Sequence, residues 1–263
     1  METILDTIVA KKAIEIEISK KKASFLKLEA EAGKQESPRG FARALESQAK
    51  SGPAIIAEVK RGSPSLGCIR PDLDAAQQVA EYERGGAACL SVLTDEKFFF
   101  AQPDDFAKVR DQVGIPMLRK DFMVEEYQIL QSRALGADCV LLIMACLPNR
   151  VAQVLAELAH DLGMDVLCET HDEEEISRAL DWVDYDLLGI NNRNLKTFST
   201  SWQRTIELAD LVPDRSKLVA ESGLHTADVI RSLWGKDIQR FLIGEAFVKS
   251  DDPAATIDSF IQM

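Results

Sequence analysis

Most of the usual marks of a metal, a cofactor or a membrane are missing from this chain. Its three histidines, His160, His171 and His225, have no metal-ligand spacing, so no metal site is expected. Five cysteines (Cys68, Cys89, Cys139, Cys146 and Cys168) form an odd set without a Cys-x-x-Cys pair, which fits a reduced cytoplasm better than a disulfide framework. Cys89, Cys139 and Cys168 fall in apolar runs, where cysteine serves as a small hydrophobe. No Gly-x-Gly-x-x-Gly follows any strand-like run, which removes the usual support for a dinucleotide fold, and no cofactor is expected. The longest apolar run, Val140 to Leu147, is too short to span a bilayer. The opening Met1-Glu2-Thr3 has neither a basic nor an apolar region of the kind a signal peptide needs, and a cytoplasmic location is expected. Positive charge is scarce: 31 Lys and Arg against 43 Asp and Glu give a net charge of −12. That balance argues against nucleic acid or an anionic membrane as partner. Any anionic substrate must be held by a local basic site working against the global field.

What is present is a repeating α/β pattern. A chain of 263 residues with 46% hydrophobic and 28% charged residues suits one soluble α/β barrel. Strand-like runs at 54–60, 88–93, 115–119, 138–144, 164–169, 187–190, 217–221 and 240–244 alternate with amphipathic stretches such as Asp74–Arg84, Val124–Leu135, Asn149–Leu162 and Thr226–Trp234. The runs lack strict alternation, as expected of a parallel sheet covered on both faces. Gly85-Gly86, Gly114, Gly136 and Gly163 fall between a helix and the next strand, where glycine supplies a left-handed cap. Eight β-α units in about 210 residues predict a single-domain (β/α)8 TIM barrel. Residues 1–50 form an extension before the first strand. Ile4, Leu5, Ile8 and Val9 have helical spacing, and Phe25 and Leu28 continue the face. Ile14-Glu15-Ile16-Glu17-Ile18 alternates like a strand, but the composition favours helix, and a second short helix is predicted from Gly40 to Ala49. The extension reads equally as a structural cap over one barrel mouth or as a lid over substrate.

The most informative stretch is Ile55 to Ser65, an apolar run ending in Glu58 and Lys60. Residues two apart on a strand face the same side, so the carboxylate and the ammonium project together. The Gly62-Ser63-Pro64-Ser65 that follows stops the strand and opens a loop. Charges are rarely buried unless paired or functional, so the pair points to an active site, the alternative being an exposed pair on an edge strand. The other strand ends tip the balance. Lys120 follows the third run, Glu169 ends the fifth, Asn191-Asn192-Arg193 the sixth, Glu221-Ser222-Gly223 the seventh and Gly244-Glu245 the eighth. A barrel gathers these ends on one face, where two lysines and three glutamates imply acid–base chemistry. Gly223 and Gly244, after the last two strands, let backbone N–H groups approach an anion where barrels commonly hold phosphate.

Taken together, several segments resemble indole-3-glycerol-phosphate synthase. They are Ile56-Ala57-Glu58-Val59-Lys60 with Ser63-Pro64-Ser65, Ser91-Val92-Leu93-Thr94-Asp95, Leu118-Arg119-Lys120-Asp121-Phe122, Gly136-Ala137-Asp138, Gly189 to Leu195, and Glu221-Ser222-Gly223. The resemblance spans nearly the whole chain, which ends soon after the eighth strand and so looks monofunctional. It implies closure of the pyrrole ring in tryptophan biosynthesis, from 1-(2-carboxyphenylamino)-1-deoxyribulose 5-phosphate to indole-3-glycerol phosphate with release of carbon dioxide and water. Lys120 matches the family's general acid, Glu169 its proposed base, and Glu58 the residue assisting loss of hydroxide. Lys60 matches a carboxylate contact that shares acid duties, each positioned group contributing roughly 10²–10⁴-fold. Asn191, Arg193, Glu221 and Ser222 match substrate-binding and orienting positions. Ser63, Gly223, Gly244 and the backbone of Glu245 surround the phosphate in this reading, with the Glu245 side chain turned away. Phe99, Phe122, Leu141 and Leu195 form the apolar wall for the anthranilate ring, or simply pack in the core. A monomer is expected, with other tryptophan-pathway enzymes as candidate partners.

One segment departs from the family. After Phe98-Phe99 a Gly-Ser-type turn is common, whereas this chain reads Phe100-Ala101-Gln102-Pro103, which leaves that loop's conformation open. Two other readings compete. A Schiff-base aldolase would use Lys120 as nucleophile. A non-catalytic binding barrel would have lost polar strand ends, and none is lost here.

Overall fold

The computed structural model describes residues 3–195 and 197–262; Met1, Glu2, Lys196 and Met263, and with them the outermost positions of the expected extension and domain, lie outside the described residues. Eight parallel strands close a barrel: β1 (Ala54–Val59), β2 (Cys89–Leu93), β3 (Met117–Lys120), β4 (Cys139–Ile143), β5 (Asp165–Thr170), β6 (Leu187–Asn191), β7 (Leu218–Glu221) and β8 (Arg240–Ile243), each paired with the next and β8 with β1. This is the expected (β/α)8 barrel. Strand β3 starts two residues later than the apolar run at 115–119 suggests, because Pro116 has no N–H for the ladder. The Pro116 carbonyl still accepts from the Leu90 N–H at 2.9 Å.

The helix-end glycines divide. Gly86, Gly136 and Gly163 take the left-handed conformation, with φ of 89°, 86° and 77°. Gly114 does not. The chain leaves the preceding helix through Val113 in extended conformation (φ −128°, ψ 154°), so no left-handed cap is needed there. Gly85 is right-handed, and its constraint is space: a Cβ would stand 2.8 Å from the Ala254 carbonyl oxygen.

Register-paired residues of a parallel sheet face the same side. Pairing of Glu58 with Ser91, Ser91 with Leu118, Glu169 with Gly189 and Asn191 with Glu221 therefore turns all of them into the barrel. Alternate strands fill successive layers of such an interior. The uppermost layer from the odd strands is Glu58, Lys120, Glu169 and Glu221. Leu141, Gly189 and Leu242 from even strands lie beneath. A polar ring on an apolar floor is the result.

The extension forms α1 (Ile4–Lys22), α2 (Phe25–Ala32) and α3 (Phe41–Ala49), so the alternating run Ile14 to Ile18 is helical. Its two readings, cap and lid, belong to different helices. Phe41 and Leu45 of α3 are wholly buried against Ala54, Cys89 and Cys139 and plug the N-terminal mouth. The Ala42 N–H donates to Asp165 Oδ2 at 2.8 Å and holds the plug in place. The first turns of α1 cross the opposite mouth, where Ile4, Leu5 and Ile8 border the central cavity. Lys12 anchors α1 there through buried ion pairs to Asp95 (2.9 Å) and Asp121 (2.8 Å).

Candidate active site

Every residue singled out for the site borders one cavity at the C-terminal mouth: Glu58, Lys60, Ser63, Phe99, Lys120, Phe122, Leu141, Glu169, Asn191, Arg193, Leu195, Glu221, Ser222, Gly223, Gly244 and Glu245. Among the described residues no cluster of His, Cys, Asp or Glu could hold a metal ion.

At its centre, Lys120 Nζ lies 3.0 Å from Glu169 Oε2 and 2.8 Å from Glu221 Oε2. Burial opposes the ammonium, but Glu169, Glu221 and Glu58 more than offset this and hold Lys120 above the usual lysine range. The two carboxylates then share one cation and separate in character. Burial pushes Glu221 up, and the neighbouring Glu169 charge adds to it beyond what Lys120 relieves. Glu169 moves down instead: burial is outweighed by Lys120 and His171, with Asn191 Nδ2 donating to Oε1 at 3.1 Å. One shared cation and unequal surroundings thus push the two carboxyl groups in opposite directions. Lys60 Nζ meets Glu58 Oε1 at 2.6 Å, as the same-face spacing predicts.

The loop after β1 supplies hydroxyls. Arg193 Nη1 donates to Ser65 Oγ at 2.6 Å, and Ser63 Oγ stands 3.2 Å from Ser65 Oγ. On the far side, Ser222 (φ 66°) and Gly223 (φ 73°) place consecutive left-handed residues at the end of β7. Ser222 carries real backbone strain, of a kind that clusters at binding sites. A Cβ on Gly244 would stand 2.6 Å from Glu58 Oε1, so a side chain here would displace that carboxylate. The Glu245 carboxylate turns away to Lys249 Nζ, 2.7 Å distant. Its negative charge thus leaves the glycine-lined end free for an anion. Phe99 and Phe122 face each other across 6.1 Å at 42° and form an apolar wall with Leu141 and Leu195.

The divergent loop at 100–103 is firmly held. Phe100 takes the left-handed conformation (φ 61°), the Ala101 N–H donates to the Asp95 carbonyl at 3.2 Å, and the Gln102 N–H donates to Asp105 Oδ2 at 2.8 Å. Asp105 is also bidentate with Arg61 at the root of the loop after β1, with Nη2 to Oδ1 at 3.0 Å.

Three features of the site were not anticipated. Glu221 contacts Lys120 directly, a pairing between residues 101 apart in the chain. Ile4, Leu5 and Ile8 border the cavity, although their helical spacing carried no sign of which mouth they cover. His171 Nε2 stands 3.4 Å from Glu169 Oε1. The two-residue spacing that paired Glu58 with Lys60 also links Glu169 with His171 and could have exposed this contact.

The sequence model of the indole-3-glycerol phosphate synthase family matches residues 5–260. A relative named indole-3-glycerol phosphate synthase, from Bordetella pertussis strain Tohama I, is 44% identical over 258 residues, covering 98% of each chain. Solved structures of low identity share the fold. A tryptophan synthase alpha chain from Legionella pneumophila superposes with a TM-score of 0.59 at 14% identity, over 84% of this chain and 95% of its own. A thiamine phosphate pyrophosphorylase from Pyrococcus furiosus gives 0.57 at 15% identity, over 81% and 95%.

Proposed function

Because the chain belongs to the indole-3-glycerol phosphate synthase family, we propose that the cavity converts 1-(2-carboxyphenylamino)-1-deoxyribulose 5-phosphate to indole-3-glycerol phosphate by lysine–glutamate acid–base catalysis. Lys120, held charged between Glu169 and Glu221, is the observation that carries this reading. The ring carbon bearing the carboxylate attacks the ketone, and Lys120 gives its proton to the carbonyl oxygen, which becomes a hydroxyl. Carbon dioxide departs with the carbon–carbon bond electrons left in the ring, restoring aromaticity. Glu169, held ionised, takes the proton from the methylene carbon beside the nitrogen. Glu58, fed by its contact with Lys60, delivers the proton on which hydroxide leaves as water. Lys60 and Arg193 offer cations to the carboxylate and phosphate ends, the latter well suited to bidentate contact. The phosphate lies against Ser63, Gly223, Gly244 and the Glu245 N–H, and the anthranilate ring lies against the wall of Phe99, Phe122, Leu141 and Leu195. Asn191, Glu221 and Ser222 orient the reacting groups.

A lysine kept above its usual range is poorly suited to imine formation, which requires the neutral amine, and this weighs against the aldolase reading. The buried thiols of Cys89, Cys139 and Cys168, each unpaired, support operation in a reducing cytoplasm. One chain supplies all the acid–base groups, which supports a monomer.

Product fluorescence tests the assignment. The parent chain should turn over the substrate, and Lys120→Met should lower kcat by roughly 10²–10⁴-fold while product still binds. A Lys120→Met variant within about threefold of the parent would remove Lys120 from the acid role.

A further inference from the structure

We propose that His171 is the positioning residue for Glu169: an imidazolium gripped between Glu169 and Glu175, it keeps the base ionised and aimed at substrate once Lys120 has released its proton. The inference rests on the reading of Glu169 as base.

His171 lies just past the end of β5, two residues beyond Glu169, so the two side chains share a face. It is fixed on its other sides. Its Nδ1 stands 3.0 Å from Glu175 Oε2, its N–H donates to the same oxygen at 2.8 Å, and its carbonyl accepts from Arg204 Nε at 2.8 Å. That leaves the buried Nε2 facing Glu169 Oε1 at 3.4 Å, just outside hydrogen-bond geometry. A neutral imidazole donates from one nitrogen and would turn a lone pair towards one of these carboxylates, whereas the imidazolium suits both. The groups around it favour the charged form. Glu169, Glu175 and Glu221 face it as anions or acids, against Arg204 behind its carbonyl and Lys120 beyond Glu169. The Cys146 thiol in the adjoining turn stays neutral, pushed by burial to about 12. Burial of His171 itself opposes charge, but Glu175 and Glu169 outweigh it and hold the group above the usual histidine range.

The chemistry creates the need for this second cation. At rest, Lys120 balances Glu169 and Glu221. Donation of its proton leaves a neutral amine among three acidic side chains, and Glu169 would then be drawn to recapture a proton. A carboxylic acid cannot serve as the base for dehydration. His171 and Asn191 both address Oε1, the oxygen that Lys120 does not bind, so the base stays charged and oriented through the step.

The full chain tests this through kcat and KM as functions of pH for the parent, His171→Gln and Glu175→Gln. His171→Gln should keep KM within about twofold, lower kcat roughly tenfold and move the acidic limb of kcat up by about one pH unit. Glu175→Gln should move the limb the same way by less. An acidic limb unmoved in both overturns the proposal even if kcat falls, because lost packing lowers a rate without shifting its titration. Should His171→Gln fail to fold, the imidazole titration followed by NMR in the parent and in Glu169→Gln decides instead: a lower midpoint in Glu169→Gln supports the pairing, and an unchanged one overturns it. Glu169→Gln also separates the two ideas. Retained turnover in that variant removes the base and the inference with it, whereas an inactive Glu169→Gln beside unmoved His171 profiles overturns the inference alone.

Discussion

Replacement of Gly189 by alanine probes how tightly the acid–base ring is built, because the change adds one methyl group beneath it. A Cβ at this position would stand 2.1 Å from Glu221 Oε1, 3.2 Å from its Cδ and 3.5 Å from Leu167 Cδ1. Ordinary contact begins near 3.4 Å, so the Glu221 carboxylate must retreat by about 1.3 Å (3.4 − 2.1). Its other oxygen holds Lys120 at 2.8 Å, and a shift of that size breaks the contact. Gly189 does not use the left-handed conformation, so the perturbation is steric rather than conformational. Overpacking of this kind costs about 1–3 kcal/mol. For a chain of this size that lowers the melting midpoint by roughly 2–10 °C. Catalysis should suffer more: misplacing a catalytic group by ~1 Å costs roughly 10²-fold in rate. The expected result is a folded Gly189→Ala enzyme with kcat down about 10²-fold and KM changed less than threefold, read by product fluorescence. A kcat within about threefold of the parent, with an unaltered melting curve, would show that Glu221 can move freely and that its grip on Lys120 does not matter.

Two further outcomes follow from buried charges. Asp105→Ala leaves the Arg61 guanidinium buried without a carboxylate and removes the tie between two active-site loops. It should cost roughly 3–5 kcal/mol in urea unfolding, and a loss below about 1 kcal/mol would refute the pairing as a structural anchor. Glu221 supplies a pH test. Its folded-state affinity for a proton is raised, so its protonated form contributes stability that is complete below the ordinary glutamate range and is lost as pH rises through the folded value. Glu221→Gln keeps the uncharged shape at every pH. Its urea midpoint should therefore gain on that of the parent between about pH 5 and about pH 9, while turnover falls. A gap that stays constant or narrows would contradict the raised value. Glu169, shifted the other way, contributes stability that is lost as pH falls, and it makes no such gap at alkaline pH.

The barrel was legible because its signals are local. Each apolar run, its polar end and the helix after it lie within some thirty residues, and a closed ring of such units brings the polar ends together without further instruction. The exceptions are also local in cause: Pro116 delays β3, and Val113 removes the need for a glycine cap at Gly114. Pairings across the ring were harder to see. Strand-end spacing places Lys120 and Glu221 at the same mouth, but only register and layer decide that they touch. The extension shows the same limit. Helical spacing marks α1 as a helix and a second short helix is expected where α3 lies, yet their partners lie far along the chain, so the choice of mouth is a tertiary fact. Phe100 is a subtler case. Where the family commonly carries a Gly-Ser-type turn, this chain holds a left-handed residue with a phenylalanine, its neighbours fixed by Asp95 and Asp105.

The plug formed by α3 also bears on how the molecule is made. It leaves the ribosome before any strand, but the Arg39 N–H must find Asp138 Oδ1, 99 residues later, and the Ala42 N–H must find Asp165 Oδ2, 123 residues later. At common rates of synthesis the second wait lasts roughly 6–25 s. Phe41 and Leu45 spend that interval without the apolar seat that buries them completely in the finished barrel. An apolar helix face made before the first strand is thus satisfied only once the fifth has been made. A nascent chain arrested before β5 would present that face to chaperones or to other unfinished chains.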